Sequence, residues 1–244
     1  MKCRSHTLFH FTKSIDSLKS ILINGFWPRY SLEDFSWYNQ QMGFISYPMV
    51  CFCDIPLTRI EEHVKFYGEY GLGLTRKWGV SNGLSPVIYL SQSTPVLSAL
   101  SRLFGSNRQT PQGYYQGSVE DINSIISCIK PVAGAIVVGG YPTSKEFYQE
   151  NEWRYVPKSP NIRQWISKEE YSNPKILAPF NETAKIYGTI KATANDIKYL
   201  FVKDDSDIPG IVNFIQTELD YFSGNELKIL MSRVVSLKSI NNDL

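Results

Sequence analysis

Leu8-Phe9-His10-Phe11-Thr12, near the start, and Tyr148-Gln149-Glu150-Asn151-Glu152-Trp153-Arg154-Tyr155, past the middle, are the stretches on which the fold turns. Each reads as a strand that sets polar side chains in an apolar, aromatic frame. Residues two apart share one face of a strand, so His10 pairs with Thr12 and Glu150 with Glu152. The pairing points to a site that grips the hydroxyls of a sugar-containing ligand and works on it with a carboxylate.

Outward from β-like residues 7–12, apolar residues at 15, 18, 21 and 22 have helical spacing, with Ser14 as N-cap and Asn24-Gly25 as stop. Residues 26–47 are irregular and aromatic and predict a long loop. A strand at 49–54 ends before Pro56, a helix follows over 57–67, and Leu72-Gly73-Leu74 and 86–90 are extended. Residues 91–130 are mainly helical around a polar loop at 107–117, and 132–138 predict either a buried strand or the start of one packing element. The loop from Gly139 to Lys145 leads into the glutamate strand. The tail predicts strand 197–202, helix 208–220 and strand 229–235. Strands and helices mix without strict alternation, which is α+β. One domain over 1–244 is expected, with a core at about 7–157 completed by a strand-helix-strand unit at 195–240.

With 43% hydrophobic and 20% charged residues, the 244-residue chain has the composition of a globular protein with a sizeable core. A net charge of +2 gives no global field for nucleic acid, so such binding needs a local patch. Arg102, Arg108, Lys130, Lys158, Arg163 and Lys168 are candidates to track a phosphate backbone. Cys51 and Cys53 share a strand face, but no second Cys/His pair has ligand spacing and His63 alone is insufficient, so no metal is expected. Buried reduced thiols, no signal peptide and no membrane-length apolar run predict a cytoplasmic protein without membrane contact.

A carboxylate among aromatic residues is costly to bury alone. Glu152 either pairs with Arg154 on its own face or steadies positive charge at the anomeric carbon of a ribose as a glycosidic bond breaks. His10, flanked by Phe9 and Phe11, is either a satisfied core histidine or, with Thr12, a partner of ribose hydroxyls.

The order of a His-x-Thr strand, helix, glycine, aromatic loop, Phe-Cys-Asp strand, helix ending in Tyr67, Gly-x-Gly strand and late glutamate strand resembles the ADP-ribosyltransferase fold, a split β-sheet core with flanking helices. In that superfamily's His-Tyr-Glu branch the resemblance implies His10 on an NAD ribose, Tyr67 stacked on nicotinamide and Glu152 on the nicotinamide ribose. Glu150-Asn151-Glu152 is similar to the Glu-x-Glu turn of side-chain-modifying transferases. Phe9-His10-Phe11-Thr12, Leu18-Lys19-Ser20-Ile21-Leu22 and Gly25 are similar to the start of the DarT toxins, which ADP-ribosylate DNA bases.

Val50-Cys51-Phe52-Cys53-Asp54-Ile55-Pro56-Leu57, His63, Tyr67-Gly68, Tyr70-Gly71-Leu72-Gly73-Leu74, Trp78 and Glu152-Trp153-Arg154-Tyr155-Val156-Pro157 resemble the AbiGi-like abortive phage resistance family, over most of residues 7–157. The mRNA-modifying toxin of a phage-triggered toxin–antitoxin–chaperone system is similar in outline. Two departures stand out: a longer segment after Asp54 lets His63 take the role given to Tyr67, and Phe11 stands where the poly-ADP-ribose branch has glycine.

These resemblances imply an NAD-dependent ADP-ribosyltransferase toxin of anti-phage defence acting on RNA or DNA, with a cognate antitoxin. Glu152 and Glu150 are its catalytic candidates. His10, Phe11, Thr12, Tyr67 and His63 are cofactor-binding candidates, with Arg29 on the pyrophosphate under the 26–47 lid. Tyr141, Lys145, Tyr148 and Gln149 would meet a flat acceptor base. The AbiGi-like family has also been labelled an antitoxin, which implies the alternative of a non-catalytic regulator that keeps the fold and binds a partner toxin. An NAD glycohydrolase is a third expectation. A catalytic site requires His10 and Glu152 to converge on one cleft.

Overall fold

Thr7–Thr12 (β1) alternates its side chains between two apolar layers, and that alternation organises the rest of the sheet. The computed structural model describes residues 6–106, 116–138 and 141–243. Helix α1, Ile15–Asn24, starts where the Ser14 side chain accepts the Ser17 amide and stops at Gly25. Gly25 has φ +88°, and a Cβ there would lie 2.6 Å from the Ile190 carbonyl oxygen.

Residues 26–47 are not the loop that their irregular pattern predicts. Arg29–Asp34 (β2) and Phe44–Cys53 (β3) form an antiparallel pair from Arg29↔Met49 to Asp34↔Phe44. Tyr30, Phe35 and Tyr47 are buried in two separate clusters, so these three rings are core and not a lid. A 3₁₀ turn, Leu57–Arg59, leads into α2, Ile60–Tyr67, then β4, Tyr70–Thr75, and α3, Arg76–Ser81. The expected strand at 86–90 is two short ones, β5, Ser85–Pro86, and β6, Ile88–Leu90. Helices α4, Pro95–Ser106, and α5, Gln116–Ile126, precede β7, Ile129–Pro131. Most of the loop expected at 107–117, with Arg108, lies outside the described residues.

Ala133–Val138 (β8) and Tyr141–Glu146 (β9) form an antiparallel pair outside the main sheet, where a loop was expected from Gly139 to Lys145. Then come β10, Glu152–Tyr155, β11, Ile166–Ser167, α6, Lys168–Ser172, and α7, Pro174–Gly188. The tail holds β12, Ile197–Val202, α8, Ile208–Glu218, α9, Gly224–Met231, β13, Val234–Ser236, and α10, Leu237–Asp243. Residues 229–231 are therefore helix and not strand. Ser223 caps α9 through a reciprocal bond with Glu226, which carries the helical state past the β-branched Ile229.

The result is an α+β fold around a mixed sheet in the order β13-β12-β4-β1-β3-β10-β5, with β2 and β11 flanking the outer half of β3. Leu8, Phe52, Leu72, Leu74 and Trp78 pack on one face with residues of α1 and α8. Phe9, Phe11, Cys53 and Phe201 pack on the other with Ile60 and Val64 of α2 and Leu237 of α10. β1 pairs with β4 over six residues but meets β3 at one, Phe9↔Cys53. The sheet is seamed there.

Leu74 is 0% exposed and faces Leu8 on one neighbour and Ile197 on the other. Leu74→Ala is expected to lower unfolding stability by about 2–5 kcal/mol, measured by urea titration.

Candidate functional site

The turn ahead of β10 sets the site. Residues 148–151 do not extend the strand: Phe147–Glu150 is a 3₁₀ turn, Asn151 is left-handed at φ 43°, and β10 begins at Glu152. Asparagine tolerates that conformation, and here it is pinned at both ends. Its side-chain amide donates to the Asp54 carbonyl at 3.1 Å, and the Asp54 amide donates to the Asn151 carbonyl at 3.1 Å. The turn folds Glu150 inward beside Glu152, and each is only 6% exposed.

Both carboxylates are answered within the chain. Arg154 Nε donates to Glu152 Oε1 at 2.8 Å, and Lys130 Nζ to Glu152 Oε2 at 2.8 Å. The Arg154 fork also holds Glu33 of β2, at 2.8 and 2.5 Å, and the Ser127 carbonyl at 2.6 Å. Lys145 lies 2.5 Å from Glu150 and Lys130 3.5 Å, while the Tyr67 hydroxyl donates to Glu150. The Glu152 amide donates to the Tyr89 hydroxyl at 2.9 Å.

Burial pushes the Glu152 carboxyl up, but the charges and hydrogen bonds of Arg154 and Lys130 outweigh it and hold Glu152 well below the usual range. Glu150 is lowered for the same reason: burial is outweighed by Lys130, Lys145 and Tyr67. Burial and the neighbouring Glu150 raise the Tyr67 hydroxyl. Burial lowers His63 to about 4 despite the nearby carboxylates, leaving a neutral imidazole stacked at 4.4 Å on Tyr67. Burial raises the thiols of Cys51 and Cys53, which disfavours their thiolate forms. Among the described residues no group of three His, Cys, Asp or Glu is placed to hold a metal, and no helix is long and apolar enough to cross a membrane.

The structure brings together Glu150, Glu152, Tyr67, His63, Lys145 and Gln149, with Phe11 against His63 at 5.8 Å. It does not bring His10 to them. Phe9 and Glu152 both oppose Cys53 in register, so they share a face, and His10 points to the other one. There its ring packs on Phe26 and Phe52, and its Nδ1 bonds the Cys51 carbonyl at 2.8 Å. Burial lowers its pKa against the opposing effect of that bond. The Thr12 hydroxyl is spent on the Ser14 carbonyl. Arg29 lies over the Trp27 ring, at 4.1 Å, away from the carboxylates.

Of the acceptor candidates, Lys145 neutralises Glu150, and Gln149 bridges Arg59 and Glu146. Tyr148 is exposed, and the side chain of Tyr141 lies outside the described residues. Lys130 is no surface cation, because its amine is committed to the carboxylates. Sequence reasoning missed Glu33 and Tyr89, which come from distant strands. It also missed that Lys130 belongs to this cluster. Only the Glu152–Arg154 spacing signalled part of the network.

The hollow beside the cluster is small, about 210 Å³, and is lined by Arg59, His63, Phe66, Lys145, Gln149 and Glu150 among others. Drug-sized ligands occupy pockets of roughly 300–1,000 Å³. A larger cavity of about 620 Å³ lies at Arg154, between Tyr47, Asn123, Cys128 and Gln164.

Residues 24–203 match the family model described as "Putative abortive phage resistance protein AbiGi, antitoxin". The "Abortive phage resistance protein AbiGi" of Lactococcus lactis subsp. cremoris is 28% identical over 221 residues, covering 80% of this chain and 88% of that protein. No solved structure matches the chain.

Arg154→Met leaves Glu33 and Glu152 without their shared cation, and is expected to cost about 3–5 kcal/mol at neutral pH in denaturant titrations. The stability that the low pKa of Glu152 confers on the wild type is present at neutral pH and is lost as pH falls below the carboxylate's ordinary value of 4.5. The deficit of the variant should therefore shrink on acidification. His63 acts in a separate window. The unfolded chain takes up its proton near 6.5 and the folded one near 4, so stability rises with pH between these values, and His63→Gln should flatten that slope.

Proposed function

The chain belongs to the AbiGi family of abortive phage resistance proteins, and from that premise we propose that it is the non-catalytic, antitoxin-side member of a phage-defence pair that acts by binding a cognate toxin. One observation carries this reading: Glu150 and Glu152 are neutralised from within the chain, on the sheet face opposite His10. A carboxylate held by a buried arginine and a lysine is already stabilised before any charge develops, so little of its field is left for a transition state. The same bonds suit a structural role, since they tie β2, β10 and the α5–β7 connection together. The family description as an antitoxin supports the same side of the pair.

A second reading keeps the ADP-ribosyltransferase fold and its chemistry. It is favoured by the β10-β3-β1-β4 order, by the one-residue seam between β1 and β3, and by Tyr67, His63 and Glu150 around one hollow. In it NAD is the donor substrate and a nucleic acid the acceptor. Glu152 would stabilise the oxocarbenium and Glu150 or Gln149 would orient the acceptor, after Lys130 and Lys145 had withdrawn.

Incubation with labelled NAD and separated RNA, DNA and protein discriminates the two. The antitoxin reading expects no labelled macromolecule and no nicotinamide release, and it expects His10→Ala and Glu150→Gln to keep protection when the toxin is co-expressed. Transfer of label by the wild type that Glu152→Gln abolishes would overturn it.

A further inference from the structure

The chain carries +2 overall, yet residues 158–191 alone hold six Lys and Arg against three Glu, so the remainder is slightly negative. In this segment β11 pairs with β3, and α6 and α7 follow, with Tyr30, Ile162, Ile166 and Ala184 packed together in one buried cluster. Along this segment and the strands beside it lie aromatic rings with cations against them: Trp165 and Phe180 in the segment, Phe44 on β3 and Trp27 ahead of β2. Lys168 lies 4.2 Å over Phe44. Arg163 lies 5.8 Å from the Trp165 ring and 5.4 Å from that of Phe180. Arg29 and Lys185 both lie over Trp27, at 4.1 and 5.7 Å.

Buried Tyr30 ties β2 to Arg163 and to α7 beneath this face. The Tyr30 hydroxyl donates to the Arg163 carbonyl, its ring meets Phe180 at 5.8 Å, and its amide donates to Asn181, four residues before Lys185 on α7. Trp165 is 40% and Phe44 39% exposed, large apolar surfaces left in solvent. Arg163 has an ion pair with Glu170 at 2.6 Å, whereas Arg29, Lys168 and Lys185 form none among the described residues.

We propose that this face, built from β2, β11 and α7, binds single-stranded nucleic acid. Unpaired bases present flat π-faces at intervals along a line of phosphates, and two exposed rings, Phe44 and Trp165, on a face where Arg29, Lys168 and Lys185 form no ion pair among the described residues are the complement of that pattern. An acidic protein surface would engage the cations and leave the rings without matching partners. The proposal does not depend on the toxin-binding reading proposed above.

The test is fluorescence anisotropy of the full chain with a fluorescein-labelled single-stranded RNA of about 20 nucleotides, longer than the ~4–16 that such platforms occupy, repeated with DNA of the same sequence. Titrations run from roughly 50 to 200 mM salt. Binding should weaken steeply with salt. The triple variant Arg29→Gln, Lys168→Gln, Lys185→Gln should lose about tenfold or more in affinity, with the log–log salt slope reduced by about 2. Trp165→Ala should lose about fivefold or more with the slope unchanged. Circular dichroism and thermal melting establish that each variant is folded. No binding by the wild type at low salt would overturn the proposal, as would folded variants with unaltered affinity. A triple variant that keeps RNA affinity but loses a co-purifying toxin would assign the face to protein instead.

Discussion

Arg154, 1% exposed, lies between Glu33 and Glu152 with the Ser127 carbonyl completing its contacts. A guanidinium so far from water is tolerable only when nearly every donor is met, and here the partners come from β2, β10 and the turn after α5. The geometry of three distant segments is thereby coupled to one side chain. Glu152, drawn toward Arg154, in turn holds Lys130, and Lys130 reaches Glu150. The carboxylates, the stacked His63–Tyr67 pair and the base of the β8–β9 hairpin, through Lys145, all rest on that arrangement.

Local pattern made much of the fold legible. The Ser14 cap, the Gly25 stop, the helix before Gly68 and the alternation of β1 are short-range features, and the structure has them within a few residues. The β2–β3 pairing was hidden because Phe35, Tyr38 and Phe44 interrupt the period-2 pattern, and the burial of Phe35 and of Tyr30 depends on α4, α5 and α7, which lie far along the chain. The 3₁₀ turn at Phe147–Glu150 was hidden for a similar reason: Asn151 is left-handed because of Asp54, nearly a hundred residues earlier. Spacing within a strand predicted one pair of the site, Glu152 with Arg154. Glu33 and Lys130 could be placed only by the sheet order.

The same register that joins the two glutamates separates them from His10. Alternation along a strand is strict, so Phe9 opposite Cys53 commits His10 to the aromatic layer over α1. The antitoxin description of the AbiGi family model and the internally neutralised carboxylates both support the partner-binding reading proposed above.

The seam between β1 and β3 has a mechanical meaning. With one residue pair joining them, the two leaves of the sheet share almost no backbone ladder, so their concerted unfolding must be transmitted by side chains that cross the gap. The His10 imidazole on the Cys51 carbonyl is such a stitch, and so is the ring cluster of Phe26 and Phe52 around it. His10, which the sequence leaves open as a core histidine or a ligand partner, is in the folded chain one of the side chains that span this gap.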